Sequence, residues 1–195
     1  EDCLLETGVD IVVRGEGEVT LSYLYDLIKG GNSYYNVDGI SFIKDKKIIH
    51  NKPRKLIENL DTIPEFPYAL FEKDINKYRD FGSILTSRGC PYPCIFCSQK
   101  AITGGKYRYF STERCLKEIG LLVNKYNQKK IWFIEDNMGV YKKRLFDLAD
   151  GIIACGYNQK AEFIADLRAD SIDYDLIMKL KKANFTMFVI GAETG

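Results

Sequence analysis

A chain of 195 residues, 46% hydrophobic and 28% charged, can bury the cores of one or two globular domains. Its 28 Lys+Arg nearly balance 27 Asp+Glu, so a formal charge of +1 offers no general attraction to nucleic acid or to an anionic membrane. No apolar run approaches the ~18–20 residues that span a bilayer, and the opening EDCLLETG lacks a basic-then-apolar secretory pattern. The six cysteines stand at 3, 90, 94, 97, 115 and 155. Three are too close-set for ordinary pairing, which predicts a reducing, cytoplasmic setting. Cys115 and Cys155 fall within helical patterns and read as small buried hydrophobes.

In chain order, DIVVR (10–14) predicts a short strand. Beyond Gly15 and Gly17, Val19, Leu21, Leu24, Leu27 and Ile28 recur at helical spacing until Gly30-Gly31 stops the helix. Glu16 and Glu18 lie at its start, where the helix dipole favours negative charge. GISFIKDKKIIHN predicts a hairpin turning at residues 44–47. Residues 52–80 hold three of the five prolines without a sustained period and read as a wrapping linker.

From residue 82 strand and helix alternate. Strands are expected at 83–87, 130–136, 161–169 and 186–193, and helices at 111–127 (with Ser111 as N-cap), 142–156 and 171–184. Four strands joined by helical crossovers demand a parallel sheet buried on both faces. Functional residues in such sheets gather at the carboxyl ends of the strands. Here those ends are a cysteine loop, Glu135-Asp136-Asn137, Arg168 and the segment around Glu193. They should converge on one mouth.

The loop reads Cys90-Pro-Tyr-Pro-Cys94-Ile-Phe-Cys97. Thiolates select soft metals, and a structural zinc site takes four protein ligands. Three alone leave a corner open. A zinc site completed by His50 or Cys3, or an electron-transfer iron–sulfur module, would be the non-enzymatic alternatives.

The C-x₃-C-x₂-C array, with aromatic Phe96 before its last cysteine, resembles the radical S-adenosylmethionine (radical SAM) superfamily. FIEDN stands where that family has Gly-Gly-Glu, and VIGAETG resembles its Gly-x-Glu-Ser/Thr-Gly segment. The resemblance implies a partial (β/α) TIM-like barrel and a [4Fe–4S] cluster on Cys90, Cys94 and Cys97. S-adenosylmethionine would chelate the open iron and be cleaved reductively to a 5′-deoxyadenosyl radical. By the same resemblance, the backbone at Phe96 would face adenine, and Glu135, Asp136 and Asn137 would lie near the methionine amino group. Arg168 would pair with the carboxylate, and Glu193 would reach the ribose or amino end. No catalytic acid, base or nucleophile is assigned.

The front end, TGVDIVVRGEGEVTLSYLYDLIKGG with the later IPEFP, resembles the junction between a Rossmann-like cobalamin-binding domain and a radical SAM core. This implies residues 1–31 as the end of the cobalamin-type domain, 32–80 as hairpin and linker, and 81–195 as the core with the first four barrel strands. With no initiator Met and no Asp-x-His-x-x-Gly cobalamin motif, the expectation is a fragment cut at both ends. The implied activity of the full-length protein is cobalamin-dependent methyl transfer to an unreactive carbon, or a related radical transformation of a small-molecule substrate. Reduction would come from a flavodoxin or ferredoxin. A methylthiotransferase is the enzymatic alternative; it calls for three more cysteines in the front domain, where only Cys3 lies.

Overall fold

The computed structural model describes residues 2–78 and 81–192. The chain divides into two compact units, residues 1–58 and 59–195. The division falls inside the segment read as a linker.

In the first unit, helix α1 (Asp2–Glu6) precedes strand β1 (Ile11–Val13), helix α2 (Glu18–Lys29), and the hairpin of β2 (Ile40–Lys44) and β3 (Lys47–His50). The hairpin turns through Asp45 and Lys46, both at positive φ (50° and 61°), as a two-residue turn matching strand twist requires. β1 adds to it antiparallel, with Ile11 opposite Phe42 and Val13 opposite Ile40, giving the order β1-β2-β3. Leu24 of α2 covers this sheet with Val37, Ile40 and Phe42. Of the expected apolar face of α2, Val19, Leu21 and Ile28 stay exposed. Glu16 sits before the helix, where its carboxylate accepts the Ile57 N–H at 2.7 Å.

In the second unit the expected strand 83–87 is broken in two. Ser83–Ile84 (β4) joins the main sheet, while Ser87–Arg88 (β5) turns away to pair antiparallel with Arg108–Tyr109 (β6). Helix α3 (Gln99–Thr103) lies between β5 and β6. Next come α4 (Thr112–Gly120), β7 (Lys130–Phe133), α5 (Lys142–Ala154), β8 (Glu162–Leu167), α6 (Tyr174–Lys182) and β9 (Phe185–Ile190). β4, β7, β8 and β9 form one sheet in that order, every pairing parallel, as the alternation demanded.

Phe133, Phe163 and Phe185 bring their rings together from three adjacent strands, 5.4–6.0 Å apart between centroids. Ile119, Leu145, Leu148, Ile152, Leu176 and Leu180 of the helices are buried against this core. Ser111 caps α4 by accepting the Arg114 N–H at 3.1 Å. Residues 121–125 continue that helix as a π turn rather than as α-helix. Cys115 is buried as expected, but Cys155, at the end of α5, is exposed.

Residues 59–78, expected to be a linker, are part of this unit. Leu60 and Tyr68 are buried. Tyr68 packs its ring with those of Phe66, Phe81 and Tyr126 and donates its hydroxyl to Glu118 at 2.5 Å. Much of it is 3₁₀-helical, at Leu60–Thr62 and Tyr68–Lys77, and aromatic packing holds it to the core; neither gives the apolar period of an α-helix or a strand, so a search for those periods reads it as linker.

Candidate functional site

The carboxyl ends of the parallel strands surround a cavity of about 620 Å³. All three loop cysteines line it, with Phe96 beside them, Glu135 and Asp136 from beyond β7, and Arg168 from beyond β8. Cys90 and Cys94 are half-buried and Cys97 is exposed. Asn137 is wholly buried and turned to a local task, accepting the Gly139 N–H at 3.0 Å to cap the turn 138–140. Glu193 lies outside the described residues.

Glu135 reaches the cavity wall, but its carboxylate is occupied by the protein. It accepts the Thr86 N–H at 3.0 Å and the hydroxyls of Thr86 and Ser87, and pairs with Arg144 at 3.4 Å. Arg144 in turn donates to the Thr86 carbonyl at 2.8 Å and to the Tyr107 hydroxyl at 2.9 Å. Burial opposes the charge on Arg144 most strongly, yet Glu135, Tyr107 and Cys115 together outweigh it and hold the guanidinium above its ordinary value. This network anchors the chain where it leaves β4 for the cysteine loop. Asp136 accepts the Gly89 N–H at 3.1 Å and the Gln99 amide N–H at 2.5 Å, and burial raises its carboxyl above the usual range.

Arg168 crosses the cavity mouth. Its Nη1 lies 3.1 Å from the Cys94 sulfur, and Nε and Nη2 hold Asp170 at 3.0 and 2.7 Å. Its guanidinium stands 3.9 Å from the centre of the Tyr92 ring. Burial pushes the Cys90 thiol up; a backbone hydrogen bond at Tyr92 and the Arg168 charge work against that, and Asp136 works with it.

Three participants escaped the sequence reading. Asp166 lines the cavity, accepts the Trp132 indole N–H at 3.1 Å, and is raised by burial. It stands two residues before Arg168, on the same side of the extended chain, so strand alternation could have found it. Arg144 precedes buried Leu148 and Ile152 by four and eight residues, a charge on the apolar stripe of a helix. Gln99 gave no signal.

The donor set suits an iron–sulfur cube. Among the described residues no three His, Cys, Asp or Glu side chains converge on a single ion. A cube takes each cysteine on a different iron, and all three loop cysteines line this one cavity. The Gln99 Oε1 is buried in the same cavity and has no hydrogen-bond donor among the described residues. A ligand carrying an ammonium group would supply one.

Comparison with known proteins agrees with this geometry. The sequence profile of the Radical SAM superfamily matches residues 84–195. A Pyrococcus horikoshii protein named as an uncharacterized methyltransferase is 39% identical over 145 residues, covering 72% of this chain and 31% of that protein. The anaerobic magnesium-protoporphyrin IX monomethyl ester cyclase of Synechocystis is 30% identical, covering 96% of this chain and 38% of the cyclase. The chain thus spans about a third of the length of these relatives. Two solved structures share the fold. OxsB, a cobalamin-dependent S-adenosylmethionine radical enzyme, superposes with a TM-score of 0.77 at 23% identity, over 95% of this chain and 28% of its own. TsrM, a radical S-adenosylmethionine methyltransferase of Kitasatospora setae, superposes with a TM-score of 0.78 at 14% identity, over 97% and 38%.

Proposed function

The chain belongs to the radical SAM superfamily, and on that premise we propose that the full-length protein is a cobalamin-dependent radical SAM methyltransferase acting on a small molecule. The observation that carries the reading is the convergence of Cys90, Cys94 and Cys97 on a cavity at the carboxyl end of a parallel sheet. These thiolates would hold a [4Fe–4S] cluster and leave one iron for S-adenosylmethionine. When bound, the cluster supplies the electron that breaks a C–S bond of S-adenosylmethionine. The protein binds and orients the reactants and keeps water away.

Arg168, already at the cysteine loop, holds Asp170 through Nε and Nη2, and the remaining N–H groups of Nη1 and Nη2 would meet the methionine carboxylate. Phe96 lines the same cavity, and by the family resemblance its backbone would face adenine. Glu193 keeps its proposed role on the resemblance of VIGAETG alone. Glu135 and the Asn137 Oδ1 are committed to internal hydrogen bonds and would support the site from behind. Residues 1–31 are read as the end of the cobalamin-type domain on the resemblance of their VVRGEGE motif. Methyl transfer is favoured by the methyltransferase name of the relative at 39% identity. An electron donor of the flavodoxin or ferredoxin class would complete the cycle.

The test is anaerobic reconstitution of the full-length protein with iron and sulfide. A brown protein with about four irons per chain is expected, lost in Cys94→Ala. Given reductant and S-adenosylmethionine, it should release 5′-deoxyadenosine or S-adenosylhomocysteine. A colourless protein carrying stoichiometric zinc would sink the proposal.

A further inference from the structure

Both oxygens of Asp136 point at the cysteine loop, and they hold opposite ends of it. Oδ2 accepts the N–H of Gly89, the residue before Cys90. Oδ1 accepts the amide of Gln99, two residues beyond Cys97. One carboxylate therefore bridges the two ends of the segment that carries all three thiols. Its own backbone follows β7, a strand paired on both sides within the main sheet, so the bridge is fixed to rigid structure.

The Gly89 end is itself shaped for this contact. Gly89 has φ +84°, and a Cβ there would meet the Lys106 carbonyl at 2.2 Å, so only glycine can present its N–H in this way. Both protein donors require an acceptor between them. A carboxylate offers two acceptor oxygens and so meets both donors at once.

We propose that Asp136 is a positioning residue that closes the cysteine loop, acting through Gly89 and Gln99 and not by touching S-adenosylmethionine. The proposal rests on the reading that this loop holds the cluster. Tying the loop ends removes part of the entropy that the loop would otherwise lose on binding it. The tie should therefore slow the loss of a bound cluster.

The experiment uses the full-length protein, reconstituted anaerobically, and follows iron loss to a chelator without S-adenosylmethionine. Asp136→Ala, which removes both acceptors, should lose iron about tenfold faster than wild type, the order expected for losing a hydrogen bond to a charged group. Gln99→Leu should accelerate the loss in the same direction. The paired variant Asp136→Asn/Gln99→Glu reverses the polarity of one arm: the introduced amide donates to the introduced carboxylate while its oxygen still accepts from Gly89. It should return the rate to near that of wild type, a rescue that general loosening of the fold would not produce. Iron loss unchanged in both single variants, or no rescue in the pair, overturns the tie. So does weakened S-adenosylmethionine binding in Asp136→Ala with unchanged iron loss, which would make Asp136 a direct contact. A wild-type protein that takes up no iron defeats the proposed function itself, and this inference with it.

Discussion

Arg144 shows how one side chain can organise a site it does not enter. Its guanidinium is buried, and Glu135, Thr86 and Tyr107 are its partners. Removing one member of a buried pair strands the other charge, which costs ~3–5 kcal/mol. Arg144→Met should lower the unfolding free energy by that amount in urea titration. Arg144→Met with Glu135→Leu should lose less than Arg144→Met alone, because no charge is left behind. Glu118 makes the opposite case. Its carboxyl is raised by burial, against the Tyr68 hydrogen bond and the Arg114 charge. Below the ordinary carboxylate range the acid is protonated in both states and ionisation costs nothing. As pH rises, the unfolded chain releases its proton first, so stability falls until the folded carboxyl has ionised as well. Glu118→Gln keeps an acceptor for Tyr68. It should melt with the wild type at about pH 4 and above it at about pH 8. A variant that melts lower at the higher pH would show that the buried charge is stabilised instead.

At the scale of elements, the helices were legible because their determinants are local. Ser111 was read as an N-cap from position alone, and it accepts the Arg114 N–H. Ser111→Ala should destabilise the second unit by about 1 kcal/mol in thermal unfolding, and a shift within error would show that the cap is redundant. The strand at 83–87 was only half legible. Ser83 and Ile84 pair with β7, but Thr86 and Ser87 are drawn to Glu135, so the chain leaves the sheet early and starts the small β5–β6 pairing. That departure is set by a carboxylate 49 and 48 residues away, which no local pattern records. Tyr68 is the same lesson in the stretch read as linker: its partner Glu118 lies 50 residues on.

At the scale of the molecule, two separate cores should report separately. Phe42 is buried among Leu24, Val37 and Ile40 in the first unit, and Phe133 lies in the aromatic cluster of the second. Each Phe→Ala change should cost ~3–5 kcal/mol within its own unit. Scanning calorimetry should then show two transitions, with Phe42→Ala moving one and Phe133→Ala the other. A single transition shifted by both variants would mean that the units unfold together.

The spacing of Cys90, Cys94 and Cys97, the alternation of strand and helix after residue 82, and the gathering of polar residues at strand ends were all readable from sequence. Each follows from neighbours a few residues apart or from the rule that parallel strands share one functional edge. Sequence alone therefore determined the parallel sheet and the family. Tertiary structure decided the duties of the polar residues around the mouth. Glu135 and Asp136 are adjacent, yet one is bound to Arg144 and the other to the two ends of the cysteine loop. The buried Glu135 carboxylate must be matched by donors wherever folding brings them, from residues 86, 87 and 144, while the more exposed Asp136 takes its donors from residues 89 and 99. Only the closed fold sets them around the carboxylates.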